Sequence, residues 1–307
     1  MNHAHAHPPH RTAHPGHPHE SGHGPVDQAE ILDLDAEVLA GPLSSVVAGL
    51  PLTSAPRHVV DLGCGTGAGT LALLRRFPRA EVTAVDSSAA HLDRLLEKAE
   101  ADGVSDRVRV VRADLDAPAW PGLGTPELVW ASASLHHMAD PARTLRQVHG
   151  LLAPGGLFAV VELDGFPRFL PEDAPAEAPG LEERCHVAAD HDHAGRVPHR
   201  GADWGPMLTD AGFTVEDRRT VTVDAGPSEA GAAVARYALA GLRRVRDGVA
   251  STLAAADLAA LDRLLDTDSS HSVLRRGDLA VRTERTVWAA RRPRPGESTA
   301  PRRRARM

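Results

Sequence analysis

Three aspartates and a run of glycines carry the first chemical signal in the chain. Asp61-Leu62-Gly63-Cys64-Gly65-Thr66-Gly67 follows a short β-branched run and precedes a helical pattern. Glycines at alternate positions let the backbone turn tightly and approach a ligand with no Cβ in the way. The helix beyond offers unpaired N–H groups. Such a turn suits a nucleotide, or a nucleoside bearing a carboxylate, and by itself it does not choose between them. Asp86 closes the next strand, about 25 positions after Asp61, where an acid can take both hydroxyls of a ribose. Asp114 closes the third strand in Ala113-Asp114-Leu115, where a carboxylate can accept a hydrogen bond from the exocyclic amine of an adenine. Aspartate is also a common cap at strand-to-helix turns. Three of them at successive strand ends argue for the crevice in which open α/β sheets hold ligands.

Histidine supplies the candidate proton-handling groups. His136 and His137 follow the fourth strand, where an imidazole could deprotonate a hydroxyl or an amine near neutral pH, or simply wall a pocket. Glu162 ends the fifth strand, and His186, His191, His193 and His199 lie in the polar insertion after it, the kind of segment that forms substrate-binding loops. His191 and His193 flank Asp192, but the spacing matches no metal-site signature, so a surface loop is expected and no metal. Eight of the 18 histidines fall in residues 1–25 among Pro and Gly. That composition predicts a disordered tail able to bind metal adventitiously.

The elements that must position these residues alternate regularly. Strand patterns in HVVDL, EVTAVD, RVRVVRADL, ELVWASAS and LFAVVEL are separated by helical patterns in TLALLRRF, AAHLDRLLEKAEADG and DPARTLRQVHGLL. Strands alternating with helices of this length predict a doubly wound α/β fold with a parallel sheet. After Leu163 the alternation breaks. A short helix is expected around Leu181–Ala189, and another in WGPMLTDAGF. A strand follows in FTVEDRRTVTVD, then a long helical region over Ser228–Leu265 with breaks expected at Gly241 and Gly248, and a last strand in LAVRTERTVWAARR. Two helices precede the sheet, one with Ile31, Leu34, Val38 and Leu39 on one face, the other over about Leu43–Leu50.

Composition sets the outer bounds. The formal charge of −7 argues against a nucleic-acid or membrane-surface binder, and no apolar run approaches the roughly 18 residues of a spanning helix. Cys64 and Cys185 are too few for a disulfide framework and fit a reduced, cytoplasmic setting. Aromatic residues make up 3%, and Lys98 is the sole lysine.

Taken together, DLGCGTG, the acid of AVDSS, ADL, LVWASASLHHMADP and the LLAPGG turn resemble the class I S-adenosylmethionine-dependent methyltransferases over about residues 56 to 163. The resemblance implies a Rossmann-like seven-stranded sheet, mostly parallel with an antiparallel C-terminal hairpin, and S-adenosyl-L-methionine as cofactor. It implies that Asp61, Gly63, Gly65 and Gly67 hold the methionine and adenosine portions, and that Asp86 with Ser87 takes the ribose. Asp114 and Leu115 would hold the adenine, and the backbone near Ala131 the amino group. The methyltransferase domain would span 26–292, with N-terminal helices at 26–55, insertions at 164–212 and 227–275 as a substrate lid, and tails at 1–25 and 293–307.

Gly63, Gly65 and Ala68 also satisfy the loose G-x-G-x-x-A of a dinucleotide-binding oxidoreductase, although a carboxylate at Asp61 suits an ammonium better than a pyrophosphate. Ala131-Ser132-Ala133-Ser134 lacks an N-P-P-Y-like stretch, which argues against adenine-N6 and glutamine-amide methylation. Two cysteines are too few for arsenic or cytosine-C5 chemistry. A small-molecule O-, N- or C-methyltransferase is the expectation, with His136 and His137 as candidate bases. A protein that binds the cofactor without transferring methyl, and a metal-handling protein led by its tail, remain as alternatives.

Overall fold

The computed structural model describes residues 28–193, 197 and 199–296. The expected tail at 1–25, and most of the one at 293–307, lie outside them. Two helices, α1 (Gln28–Val38) and α2 (Ala40–Ala48), precede the alternating core. The core runs β1 (His58–Leu62), α3 (Ala68–Arg76), β2 (Glu81–Asp86), α4 (Ala89–Ala101), β3 (Val108–Arg112), β4 (Leu128–Ser132), α5 (Pro141–Leu151) and β5 (Leu157–Leu163). Beyond it come α6 (Leu181–His193), α7 (Trp204–Asp210), β6 (Thr214–Ala225), α8 (Pro227–Val249), α9 (Ala255–Leu265) and β7 (Val281–Arg291). No helix among the described residues is long and apolar enough to cross a membrane.

The sheet has seven strands in the order β3-β2-β1-β4-β5-β7-β6. Strands β1 to β5 are parallel, and β7 runs antiparallel to both β5 and β6. Parallel strands are covered on both faces, so they read as nearly unbroken apolar runs. Val59, Val60 and Leu62 in β1, Leu128 to Ala131 in β4 and Leu157 to Val160 in β5 are all fully buried. The helices carry their own start signals. Ser88 caps α4 by accepting from His91 N, and Leu92, Leu95 and Ala99 form its buried stripe. Asp140 caps α5 by accepting from Arg143 N, with Pro141 in the first helical position.

Three differences from the expected elements follow from packing. Strand β3 stops at Arg112, so Asp114 sits in the loop beyond it rather than at its end. The Ser228–Leu265 stretch parts into α8 and α9 after Val249, beside the expected break at Gly248, but it also kinks at Gly231, where φ is +43. Gly241 lies inside α8 without breaking it, because its neighbours Ala238 and Leu242 are buried against the layer beneath. Helix α6 extends past Ala189 to His193.

A second apolar cluster lies apart from the sheet core. Leu34 and Val38 of α1 pack with Leu181 and Cys185 of α6, Val234 and Ala238 of α8, and Leu261 and Leu264 of α9. This layer is tied to the sheet through α1. Lys98 of α4 donates to Asp33 of α1 and, at 3.0 Å, to the Thr66 carbonyl, while Arg94 Nε donates to Asp33 at 2.8 Å. Burial opposes ionisation of Asp33, but the bonds from Lys98, Thr66 and Arg94 outweigh it and hold its carboxyl below the usual range.

With its folded value depressed, Asp33 stabilises the fold above the ordinary carboxylate range, and this contribution is lost as the pH falls through that range. Replacing the sole lysine, Lys98→Met, should cost about 1–2 kcal/mol. The loss should show as faster amide hydrogen exchange over residues 28–38 with little change in the β-strands. Uniform exchange across both layers would contradict the assignment.

Candidate active site

The glycine turn leaves β1 under tight backbone control. Gly63 N and Cys64 N both donate to Val85 O of β2, at 2.8 and 3.0 Å. Gly63 has φ +68, and a Cβ there would lie 2.5 Å from Ser134 Cβ, so only glycine fits where the β4 loop crosses. Asp86 holds the turn from the neighbouring strand, Oδ2 accepting from Gly65 N and Oδ1 from Ser88 N, both at 2.9 Å. A carboxylate has about four acceptor sites, so room remains for two ligand hydroxyls. Asp61 is buried and accepts from Thr70 Oγ1 at 2.7 Å. Burial, opposed by Thr70 and reinforced by the charge of Asp86, pushes its pKa up to about 7.

These groups line a cavity of about 550 Å³ over the carboxyl ends of the strands. Asp61, Gly63, Gly65, Asp86, Ser87, Asp114 and Leu115 all border it. Asp114 is exposed, its Oδ1 accepting from Asp116 N at 2.8 Å. Two expected residues lie outside the lining. Gly67 caps α3 at φ +92, where a Cβ would come within 2.2 Å of Leu95 Cδ1, so it is glycine for the packing of α4. Ala131 is buried inside β4, and its successors Ser132, Ala133 and Ser134 reach the cavity instead. Cys64 borders the cavity as a buried, unpaired thiol whose pKa burial raises.

A second cavity of about 170 Å³ adjoins this one, and Ala133 and His137 of the loop leaving β4 line both. A buried carboxylate sets its shape. Glu162, near the end of β5, accepts from Ser134 N at 3.1 Å and Leu135 N at 2.7 Å, and lies 2.5 Å from His136 Nδ1. A carboxylate only accepts, so the hydrogen of this bond is assigned to Nδ1, which leaves Nε2 as the ring nitrogen that can carry a lone pair. His136 borders the smaller cavity, while His137 borders both. Loss of hydration, the adjacent His136 and the positive charges of Arg200 and Arg244 push the His137 pKa down to about 4 against the pull of Glu162. Ala133, between the cavities, takes φ +50, a left-handed conformation that costs a non-glycine residue about 1 kcal/mol.

Several residues of the site had no local sequence signal. Leu32 and Asp35 reach both cavities from α1, Arg244 from α8 and Arg285 from β7. Asp35 accepts from Arg285 Nη2 at 2.6 Å and from Tyr237 Oη at 2.7 Å, which fastens α1 over the strand ends. Of the insertion histidines, His186 is buried against Phe166, ring centroids 5.2 Å apart, and burial drives its pKa down to about 4. His199 packs edge-on to Trp204. The side chains of His191 and His193 lie outside those described. No cluster able to hold a metal occurs among the described residues.

Residues 60–158 match the family model described as a methyltransferase domain. Among curated relatives, trans-aconitate 2-methyltransferase of Methylobacterium radiotolerans is 41% identical over 122 residues, 39% of this chain and 42% of that protein. Malonyl-[acyl-carrier protein] O-methyltransferase of Halorhodospira halophila is 38% identical over 54% of each chain. The chain therefore spans about half or less of the length of these relatives. A solved structure from Bacillus halodurans C-125, described as a candidate methyltransferase, aligns over 82% of this chain with a TM-score of 0.52 at 17% identity. The phosphoethanolamine N-methyltransferase 2 of Haemonchus contortus, solved with S-adenosylhomocysteine, aligns over 87% of this chain and 58% of that one at 0.50 and 14%. Both likenesses concern the fold. The matched segment contains the glycine turn, Asp86, Asp114 and the β4 loop, so it is this part of the chain that is similar to a methyltransferase domain.

Proposed function

We propose that the protein transfers a methyl group from S-adenosyl-L-methionine to an O, N or C atom of a small molecule. The observation that carries this reading is the pair of adjoining cavities, one bordered by the glycine turn and acids, the other by His136, with Ala133 and His137 of one loop lining both. The residues present fit the cofactor. Asp86 retains acceptor capacity for a ribose, and the exposed Asp114 with Leu115 fits an adenine. Asp61 is a buried carboxyl with no cation beside it among the described residues, a place an ammonium ligand could complete. When bound, S-adenosylmethionine supplies an electrophilic methyl, and in-line displacement needs mainly alignment, which can contribute effective molarities of about 10⁵–10⁸ M.

The chain's own residues would then do three things. Helix α1, with the insertions at 164–212 and 227–275, covers the strand ends as a lid that excludes water. Glu162 fixes the His136 ring with Nε2 as a lone-pair nitrogen, able to take a proton from a hydroxyl or amine acceptor. His137 remains neutral at physiological pH and serves as a polar wall between the cavities rather than as a strong base. We further read the partner as a small molecule and not a nucleic acid, and the setting as cytoplasmic; the formal charge of −7 and the two buried unpaired cysteines support this. The names of the relatives support acceptors that carry carboxyl groups.

Isothermal titration with S-adenosylmethionine and S-adenosylhomocysteine, with NADH as control, tests the reading. The first two should bind in the micromolar range or tighter, and Asp86→Ala should weaken them by at least about tenfold. Binding of NADH alone would instead point to hydride transfer.

A second outcome follows from Asp61. Its folded pKa of about 7 lies above the ordinary carboxylate value, so its stabilising contribution is complete at low pH and is lost as the pH rises through 7. A cationic ligand needs the ionised form. Affinity for S-adenosylhomocysteine should therefore rise between about pH 6 and about pH 7.5, with proton release in that window. Asp61→Asn should flatten this dependence, weaken binding and make the ligand-free melting temperature less sensitive to pH. An unchanged pH dependence in Asp61→Asn would exclude Asp61 as the group responsible.

A further inference from the structure

The smaller cavity holds positive charge that the fold itself does not neutralise. Arg200 stacks on Phe166, its guanidinium carbon 3.9 Å from the ring centroid, and Phe166 stacks in turn on the buried His186. The guanidinium is thereby fixed in plane. Its Nε and Nη1 are buried, yet neither has a hydrogen-bond partner. Arg244 borders the same cavity from α8 and forms no ion pair among the described residues. Loss of hydration lowers the pKa of both arginines; Asp190 acts on Arg200 in the opposite sense and Arg244 in the same sense.

The nearby acids do not cancel this charge. Asp35 is engaged by Arg285 and Tyr237. Glu162 is engaged by the β4 loop and His136. Asp190 acts on Arg200 at a distance and forms no ion pair with it among the described residues. A buried guanidinium without acceptors is costly unless something pairs with it, and the planar fork of arginine is matched by carboxylate and phosphate.

We infer that Arg200 and Arg244 form an anion subsite in the acceptor cavity, so that the methyl acceptor carries a carboxylate or phosphate group. This rests on the methyltransferase reading for the word acceptor, but the subsite itself does not depend on methyl transfer. The cavity of about 170 Å³ is bordered by both arginines. Phe166 and Phe169 line the same space and favour an apolar or aromatic body behind the anionic group.

The test uses three probes of one shape. Benzoate, phenyl phosphate and the neutral benzamide are titrated into the full chain, with and without saturating S-adenosylhomocysteine. At least one anion should bind at least about tenfold more tightly than benzamide, and the loss in Arg200→Met or Arg244→Met should also reach about tenfold. Arg200→Lys should recover part of it. Preference for benzoate over phenyl phosphate, or the reverse, assigns the carboxylate or the phosphate. Affinity of Arg200→Met for S-adenosylhomocysteine should match wild type, because Arg200 borders only the smaller cavity. Equal binding of benzamide and the anions, binding of neither anion, or anion binding unaffected by either arginine substitution would overturn the subsite. If Arg200→Met fails to fold, Arg244→Met, at an exposed position, decides alone. Anion binding without any affinity for S-adenosylhomocysteine would keep the subsite and overturn the methyltransferase reading, so the two can fail separately.

Discussion

The buried carboxylate of Glu162 organises the reactive end of this molecule. It emerges from β5 beside the last residues of β4 and gathers two backbone amides and one imidazole nitrogen of the next loop. Ser134 Oγ adds a bond to Leu62 O at 2.9 Å, and Ala133 N donates to Val161 O at 2.8 Å, so the loop is pinned to β1 and β5 at once. Burying an acid is tolerable when several hydrogen bonds converge on it. Here they also hold Ala133 at a positive φ, which a less constrained loop would relax. The result is a constrained loop, a partial partition with His136 on the side of the smaller cavity and His137 bordering both cavities.

Around this partition the fold tolerates features that weaken the ligand-free protein. Asp61 is buried with its ionisation suppressed, and Arg200 is stacked with Nε and Nη1 buried and unpaired. Neither arrangement helps folding, since an uncompensated buried charge opposes it. Both make sense if ligands of opposite charge complete them, a cation at Asp61 and an anion at Arg200. Local conflicts of this kind in an otherwise consistent structure concentrate where function resides. The α1 helix links the two regions. Asp33 fastens it to the glycine turn through Lys98, and Asp35 fastens it to β7 and α8 through Arg285 and Tyr237.

The half of the site that resides in local motifs was readable in the chain. HVVDL, EVTAVD and LFAVVEL become strands with the boundaries their patterns suggest, and Asp61, Gly63, Gly65 and Asp86 meet because consecutive parallel strands bring their carboxyl ends together. The other half depends on contacts distant in sequence. Asp35 meets Arg285 across 250 positions, and no periodicity announces such a pairing. Arg200 lies in a polar stretch that resembles any surface loop until Phe166 is placed beneath it. Gly67 illustrates a different limit. A glycine that makes room for a ligand and one that makes room for Leu95 read alike in sequence, and only the 2.2 Å approach to Leu95 separates them. Ala131 fails to reach the cavity because the strand is still fully buried at that point, two residues before the chain turns out.

In the proposed function, methyl transfer takes place beside the Ala133–His137 partition. A crystal structure of the full chain with S-adenosylhomocysteine tests this most directly. The sulfur should lie against the partition, with its former methyl direction pointing past it into the cavity bordered by His136, and the ribose should meet Asp86. A sulfur directed toward bulk solvent, or a nucleoside seated in the smaller cavity, would contradict the account.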